Sequence, residues 1–302
     1  MPSFNEEKAI AQTIRELTVA LRRKKYNYKV VVVDGGSQDR TVEIAKKERA
    51  LVLHQFGVGY GDALLTGFLY GLHVLHATIL FATDADMTYD CSNAGALIDP
   101  ILSRRAEYVI GRRLPSKDAM GHVHAFGNWI ITWMIARFLR ISLHDSQSGM
   151  FAFRSYLIRE TDFHTKGWAI NTELLKRAAE MDMTIEEVTV NYRKRIGEVK
   201  HSTISGGFAN IAVILRMMRD AEPLLLFSLL AFGFIVLGAI TGARVVIEWI
   251  VGGTEIYVGA AILSALSVIV GIQLLALGLV ADMIKQGRRK NRQANELVFR
   301  VM

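Results

Sequence analysis

Cysteine is nearly missing from this sequence: Cys91 is the single example in 302 residues. That excludes an intrachain disulfide and any metal site built from several cysteines, and it suits a reducing compartment. Charge is missing from two long runs. Leu224 to Ala243 is 20 residues without a formal charge, and Val258 to Ala281 is a second such run. A bilayer's hydrocarbon layer takes roughly 20 helical residues, so both are expected to be transmembrane helices, with a buried core pair as the competing reading. They follow residues 1 to 220, which have the mixed composition of a globular domain, so neither has the place of a cleaved signal peptide. Acid is missing from the stretch of Lys285, Arg288, Arg289, Lys290 and Arg292 that follows the second run, whereas the connecting loop sets Arg244 against Glu248 and Glu255. The positive-inside rule therefore predicts a cytoplasmic tail. Two spans return the chain to the side it left, so the globular part and both termini are expected to be cytoplasmic too. No basic and aromatic array of a nucleic-acid module is present, and the net charge of +7 points instead to an anionic membrane surface.

Within the globular part the pattern predicts alternating elements. Tyr28 to Val33 is a β-branched run ending on Asp34-Gly-Gly-Ser, followed by a helix over about 40–48. A strand near Leu51 to His54 leads through Gly57-Val-Gly-Tyr-Gly to a helix over 62–75, and a strand to Thr83 delivers Asp84 and Asp86. A helix around 93–103 then precedes a strand over 107–111. Such alternation implies an α/β fold with a largely parallel sheet, whose ligands bind at the carboxyl ends of strands, where Asp34, Asp84, Asp86 and Arg113 fall. The glycine loop at 57–61 lacks the ending of a Walker A motif and the context of a dinucleotide fingerprint. Residues 121–143 mix Trp129, Trp133 and Phe138 with Arg137 and Arg140, which suits a helix in the membrane interface; a soluble core helix is the alternative. Residues 208–219 are a second candidate of this kind. Gly238 and Gly242 form a G-x-x-x-G, which can pack the two spans together or join subunits in a homo-oligomer.

Asp84 and Asp86 are the first chemical signal. Residues i and i+2 of an extended segment point to the same side, so both carboxylates can face one hard cation, and that cation can grip a diphosphate. An acidic turn has the same local sequence.

Four segments together resemble the family 2 glycosyltransferases of the GT-A fold, and in particular the polyprenyl-phosphate (dolichyl-phosphate) sugar synthases. They are Pro2-Ser-Phe-Asn-Glu-Glu, Val33-Asp-Gly-Gly-Ser-Gln-Asp-Arg-Thr, Asp84-Ala-Asp and Asp145-Ser-Gln-Ser-Gly-Met-Phe-Ala-Phe-Arg. The resemblance runs from residue 2 to about residue 202, and the two terminal spans match one branch of the family. It implies a map of a GT-A domain over 1–205, an amphipathic interface helix over 206–222, two spans within 223–285 (about 224–243 and 258–281) and a basic tail over 286–302.

It also implies roles. Pro2, Phe4, Glu6, Val33, Asp34, Asp84, Ala85 and Asp86 would bind the nucleotide sugar, with Asp34 taking an N–H of the base. Asp39 is expected to cap or orient the following helix. Asp86 would be the direct ligand of Mg²⁺ or Mn²⁺, with Asp84 nearer the ribose and diphosphate. Arg113, Arg193, Arg195 and Lys200 would meet phosphates of donor or acceptor, while Arg112 is expected to be exposed. Asp86, Asp145 and Arg113 form the implied catalytic set. A phosphate acceptor needs no general base, because its second pKa of about 6 leaves it mostly dianionic. Asp145 is then expected to orient the Gln147-Ser-Gly loop or to position Arg154. Glu173, His122 and His124 are further candidates.

The implied reaction is inverting transfer of a hexose from a UDP- or GDP-sugar to a membrane polyprenyl (dolichyl) phosphate. One rival is a transferase that extends a lipid-linked or polymeric glycan at an alcohol, which would make Asp145 the first candidate base; the Q-x-x-R-W of processive synthases does not occur. Another is a non-catalytic membrane scaffold that binds nucleotide sugar. Several positions depart from the family pattern. Phe4 replaces tyrosine, Val199 replaces serine, and Thr88 stands where many dolichyl-phosphate mannose synthases have glutamine, which favours UDP donors. The family's apolar strand before the first motif is also missing, and either an internal start or a neighbouring segment filling the gap is expected.

Overall fold

β-Branched residues 30–33 build the middle of a three-stranded parallel sheet. In the computed structural model, which describes residues 1–115, 122–159, 170–197, 223–251 and 258–301, β1 (Pro2–Ser3), β2 (Val31–Asp34) and β3 (Leu51–His54) lie in the order β1-β2-β3. Pro2 pairs with Val33, and Val33 with Leu53. A second sheet contains β4 (Ile79–Ala82), β5 (Tyr108–Pro115), β6 (Phe151–Arg154) and β7 (Ile185–Tyr192), in the order β4-β6-β5-β7. β5 and β7 run parallel, whereas β6 is antiparallel to both β4 and β5. The expected largely parallel sheet is therefore two sheets with one reversed strand.

The two sheets stand apart. A cleft of about 470 Å³ lies between Val30, Val31 and Val33 on one side and Ile79, Leu80 and Phe81 on the other, with Leu17, Leu64 and Phe68 among its lining. No described segment fills it.

Helices cover the sheets. In α1 (Ile10–Arg23), Ile10, Ile14, Leu17 and Leu21 recur at helical spacing and are all buried, while Arg22 and Arg23 complement the negative end of the helix dipole. The sequence reading has no helix here, although the apolar spacing that follows the first motif is helical. α2 (Thr41–Lys47), α3 (Tyr60–His73) and α4 (Ala94–Leu102) match the expected helices within two residues at each end. Asp39 accepts from the Thr41 backbone N–H at 2.9 Å, as expected of a residue that orients α2. In α5 (His122–Leu139) Thr132 and Ile135 are buried, but Trp129 and Trp133 are 61% and 60% exposed. A helix enclosed in a core would hide both tryptophans. α6 (Ile170–Glu180) buries Leu174, Leu175 and Ala178.

The main core joins α3, α6 and the second sheet through Phe68, Tyr108, Phe151 and Phe153. Phe68 meets Phe153 edge-on at 5.1 Å, and Tyr108 stacks on it at 5.8 Å. Each such ring contributes about 1.5–3 kcal/mol by leaving water, which holds β6 between β4 and β5.

Two compact units divide the chain, Met1–Ile214 and Leu215–Met302. The second holds α7 (Pro223–Ile250) and α8 (Val258–Val301). Pro223–Ile250 and Val258–Lys285 are long and apolar enough to cross a membrane, and Phe232 and Ile240 among others face outward. α7 passes the expected end of its span. Arg244 and Glu248, expected in a loop, form an i,i+4 pair at 3.0 Å that continues the helix. α8 likewise continues through the expected tail. Gly238 and Gly242 face α8: a Cβ on the first would lie 2.9 Å from the Ser264 carbonyl oxygen, and one on the second 2.6 Å from Ser264 Oγ. Ser264 Oγ donates to the Gly238 carbonyl at 2.7 Å, so the G-x-x-x-G packs two helices of one chain. The expected interface helix over 206–222 and Lys200 lie outside the described residues, as do the side chains of His122 and His124.

Candidate active site

The carboxylate pair follows β4 directly. Asp86 is buried and Asp84 half-buried, and Met87 between them and Thr88 adopts φ +65°, a left-handed conformation that costs energy for a side chain of its size. Thr88 donates to Asp86 Oδ1 from its backbone N–H at 3.0 Å and from its hydroxyl at 2.5 Å. Asp86 Oδ2 faces the Arg195 guanidinium at 3.2 Å, and Arg195 also pairs with Glu6. Backbone bonds from Arg193 N to Thr88 O and from Ile196 N to Asp86 O hold the segment after β7 against this loop.

Asp84 is held differently. Tyr60, at the start of α3, donates to its Oδ1 at 3.2 Å. A Cβ at residue 149 would lie 2.7 Å from its Oδ2, so glycine there lets β6 begin against the carboxylate. Burial, then the charge of Asp86, pushes the Asp84 carboxyl up to about 7, against the Tyr60 hydrogen bond and the charges of Arg195 and Arg113.

These groups open on one cavity of about 220 Å³ lined by Pro2, Ser3, Phe4, Glu6, Gly35, Gln55, Val58, Gly59, Tyr60, Ala63, Asp84, Ala85, Asp86 and Arg195. Seven expected site residues therefore meet there: Pro2, Phe4, Glu6, Asp84, Ala85, Asp86 and Arg195. Ser3, Gln55 and Ala63 were missed; their neighbours in the quoted motif and glycine loop were the available signal. Val33 lines the cleft between the sheets instead. Asp34 is buried and accepts from Gly36 and Ser37 backbone N–H groups at 3.0 and 3.1 Å, closing the turn that presents Gly35 to the cavity.

The other implied groups are tied up nearby. Arg113 grips Asp145 with a fork, Nε to Oδ2 at 2.7 Å and Nη2 to Oδ1 at 2.8 Å, and its guanidinium carbon lies 5.5 Å from the Tyr192 ring centroid. Burial would raise the Asp145 carboxyl, but hydrogen bonds and charge from Arg113, with help from Asn128, hold it below the usual carboxylate range. Asp145 also accepts from Gln147 N at 3.2 Å, which orients the expected loop. The expectation that it positions Arg154 fails, because Arg154 lies at the far end of β6 and donates to the Ile101 carbonyl. Glu187 of β7, not anticipated, accepts from the backbone N–H groups of His144 and Asp145. Arg193 pairs with Glu16 at 3.0 Å and Asp90 at 2.9 Å, away from the cavity. Arg112 is exposed, as expected, and Glu173 lies in the first turn of α6.

The donor set fits a hard divalent cation. Both carboxylates offer oxygen, and a cationic guanidinium already stands at Asp86 Oδ2. Among the described residues no three His, Cys, Asp or Glu side chains cluster as a complete cage.

The profile described as Glycosyl transferase family 2 matches residues 1–162. The chain is 31% identical over 286 residues to the low-salt glycan biosynthesis hexosyltransferase Agl6 of Haloferax volcanii, covering 92% of this chain and 66% of that protein, so it spans just under two thirds of that relative's length. It is 31% identical over 210 residues to the dolichyl-phosphate hexose transferase of the same organism, covering 69% of this chain and 88% of that one. Among solved structures, glucosyl-3-phosphoglycerate synthase from Mycobacterium tuberculosis in complex with Mn²⁺, uridine diphosphate and phosphoglyceric acid superposes with a TM-score of 0.57 at 19% identity, covering 73% of this chain and 76% of that one. That likeness shows the expected GT-A fold.

Proposed function

The chain belongs to glycosyl transferase family 2, and from that premise we propose that it transfers a hexose from a nucleotide sugar to the phosphate of a membrane polyprenyl (dolichyl) phosphate, inverting the anomeric carbon. The observation that carries the reading is the convergence of Asp84, Asp86, Glu6 and Arg195 on a cavity opened by Pro2 and Phe4. A relative named as a dolichyl-phosphate hexose transferase supports the acceptor, and a structural neighbour holding Mn²⁺ and uridine diphosphate supports a UDP donor.

In this reading Phe4 offers its ring face to the base, and Arg195 offers a planar fork to diphosphate oxygens. Asp86, oriented by Thr88, and Asp84, oriented by Tyr60, would hold Mg²⁺ or Mn²⁺. When bound, such an ion neutralises charge that develops on the leaving diphosphate. An oxygen of the lipid phosphate bonds to the anomeric carbon while the bond to the diphosphate breaks, and the nucleoside diphosphate leaves with the electron pair. No proton has to be removed, since the acceptor phosphate is already ionised. Asp145, with both oxygens gripped by Arg113, is poorly disposed to take a proton, which favours a phosphate acceptor over an alcohol. The two apolar helices anchor the chain in the bilayer that contains such a lipid. The basic residues after the second span support a cytoplasmic active site.

Purified full chain incubated with polyprenyl phosphate and a panel of labelled UDP- and GDP-sugars should move label into extractable lipid. Asp86→Asn should abolish transfer with the fold intact. Label appearing only in a polymer or on an alcohol acceptor, or full activity of Asp86→Asn, would sink the reading.

A further inference from the structure

Arg195 stands against Asp86, the carboxylate expected to hold a divalent cation. Thr88 occupies Asp86 Oδ1 with two donors, which leaves Oδ2 for another partner, and Arg195 Nη1 lies 3.2 Å from it. A guanidinium and a divalent ion repel at contact distance and cannot share that oxygen's open side. Without either, Asp86 and Glu6, each 7% exposed, would face each other's charge in a buried setting, which is costly. The hold on Arg195 is nonetheless incomplete. Its side chain is 28% exposed, and its buried Nε has no hydrogen-bond partner among the described residues.

The geometry points to Arg195 as a counter-charge that guards Asp86 until nucleotide arrives, so that cation and nucleoside diphosphate bind as a pair. A diphosphate at the cavity competes for the guanidinium fork and draws it from Asp86 Oδ2. The vacated oxygen then accepts the cation. Linkage makes the coupling reciprocal: nucleotide raises cation affinity by the factor with which cation raises nucleotide affinity. This inference rests on the nucleotide-sugar reading above, and it adds that the cation alone binds poorly because a residue of the chain must first be displaced.

The test is a titration of the full chain in nanodiscs with Mn²⁺, followed by paramagnetic resonance of the free ion, without nucleotide and with UDP or GDP. Arg195→Gln is expected to bind Mn²⁺ alone about tenfold more tightly than the parent, and to lose most of the enhancement that nucleotide confers. Arg195→Lys, a point charge on a shorter stem, should fall between and carries the same test if the glutamine variant does not fold. Variants that bind Mn²⁺ alone no more tightly than the parent, while the parent binds it with nucleotide, overturn the counter-charge and leave the donor reading standing. A parent that binds no Mn²⁺ with either nucleotide overturns both.

Discussion

Asp84→Asn is expected to stabilise the cation-free protein at neutral and alkaline pH. Burial and the neighbouring Asp86 charge raise the Asp84 carboxyl from 3.8 to about 7. An acid whose folded pKa is raised binds more protons folded than unfolded between those values, so stability falls as pH climbs from about 4 to about 7 and stays low above. At ~1.4 kcal/mol per unit, a rise of about three units gives an upper value of roughly 4 kcal/mol; screening at a half-buried residue brings this to about 2 kcal/mol. A globular unit of this size then melts about 4–8 °C higher in the variant. Thermal unfolding of the full chain in detergent with EDTA, at about pH 5.5 and about pH 8, checks it by near-ultraviolet dichroism. The parent should lose stability between the two, the variant should not, and Mn²⁺ with nucleotide should protect the parent alone. A variant less stable than the parent at the higher pH, or a parent indifferent to pH, would refute the reasoning.

Three further outcomes are expected. Asp145→Asn breaks a buried ion pair and should cost about 3 kcal/mol in denaturant unfolding, whereas Arg113→Met with Asp145→Leu should recover much of it. Because the Asp145 carboxyl is held low, its contribution is present above the unfolded value near 4 and is lost as pH falls through the folded one. Gly149→Ala forces a methyl against Asp84 Oδ2 and should lower Mn²⁺-dependent nucleotide binding about tenfold or more, measured by calorimetry. Thr88→Val removes a hydroxyl donor to Asp86 and should weaken cation binding by about tenfold with little change in melting.

Local signals carried far in this chain. β-Branched runs and glycine turns marked β2, β3 and α2 to α4, and motif order brought together residues as distant as Pro2 and Arg195 before any packing was known. What stayed hidden depends on contacts across the fold. β6 lies inside a quoted motif, yet its antiparallel direction is set by the aromatic layer of Phe68, Tyr108 and Phe153. The partners of Arg113 and Arg193 were equally invisible, since a basic residue in a phosphate motif reads alike whether it meets a phosphate or a carboxylate. Glu187 sits in an alternating strand with no motif. Thr88 stands out in the sequence only as a departure from the family pattern; its place beside Asp86 makes it the donor that occupies one carboxylate oxygen.

The glycine face of α7 is satisfied by Ser264 and Val268 of the same chain. A helix pair closed in this way is a unimolecular equilibrium. Its integrity is set by one chain and not by how many copies share a vesicle, so dilution into lipid or detergent should leave the hairpin assembled.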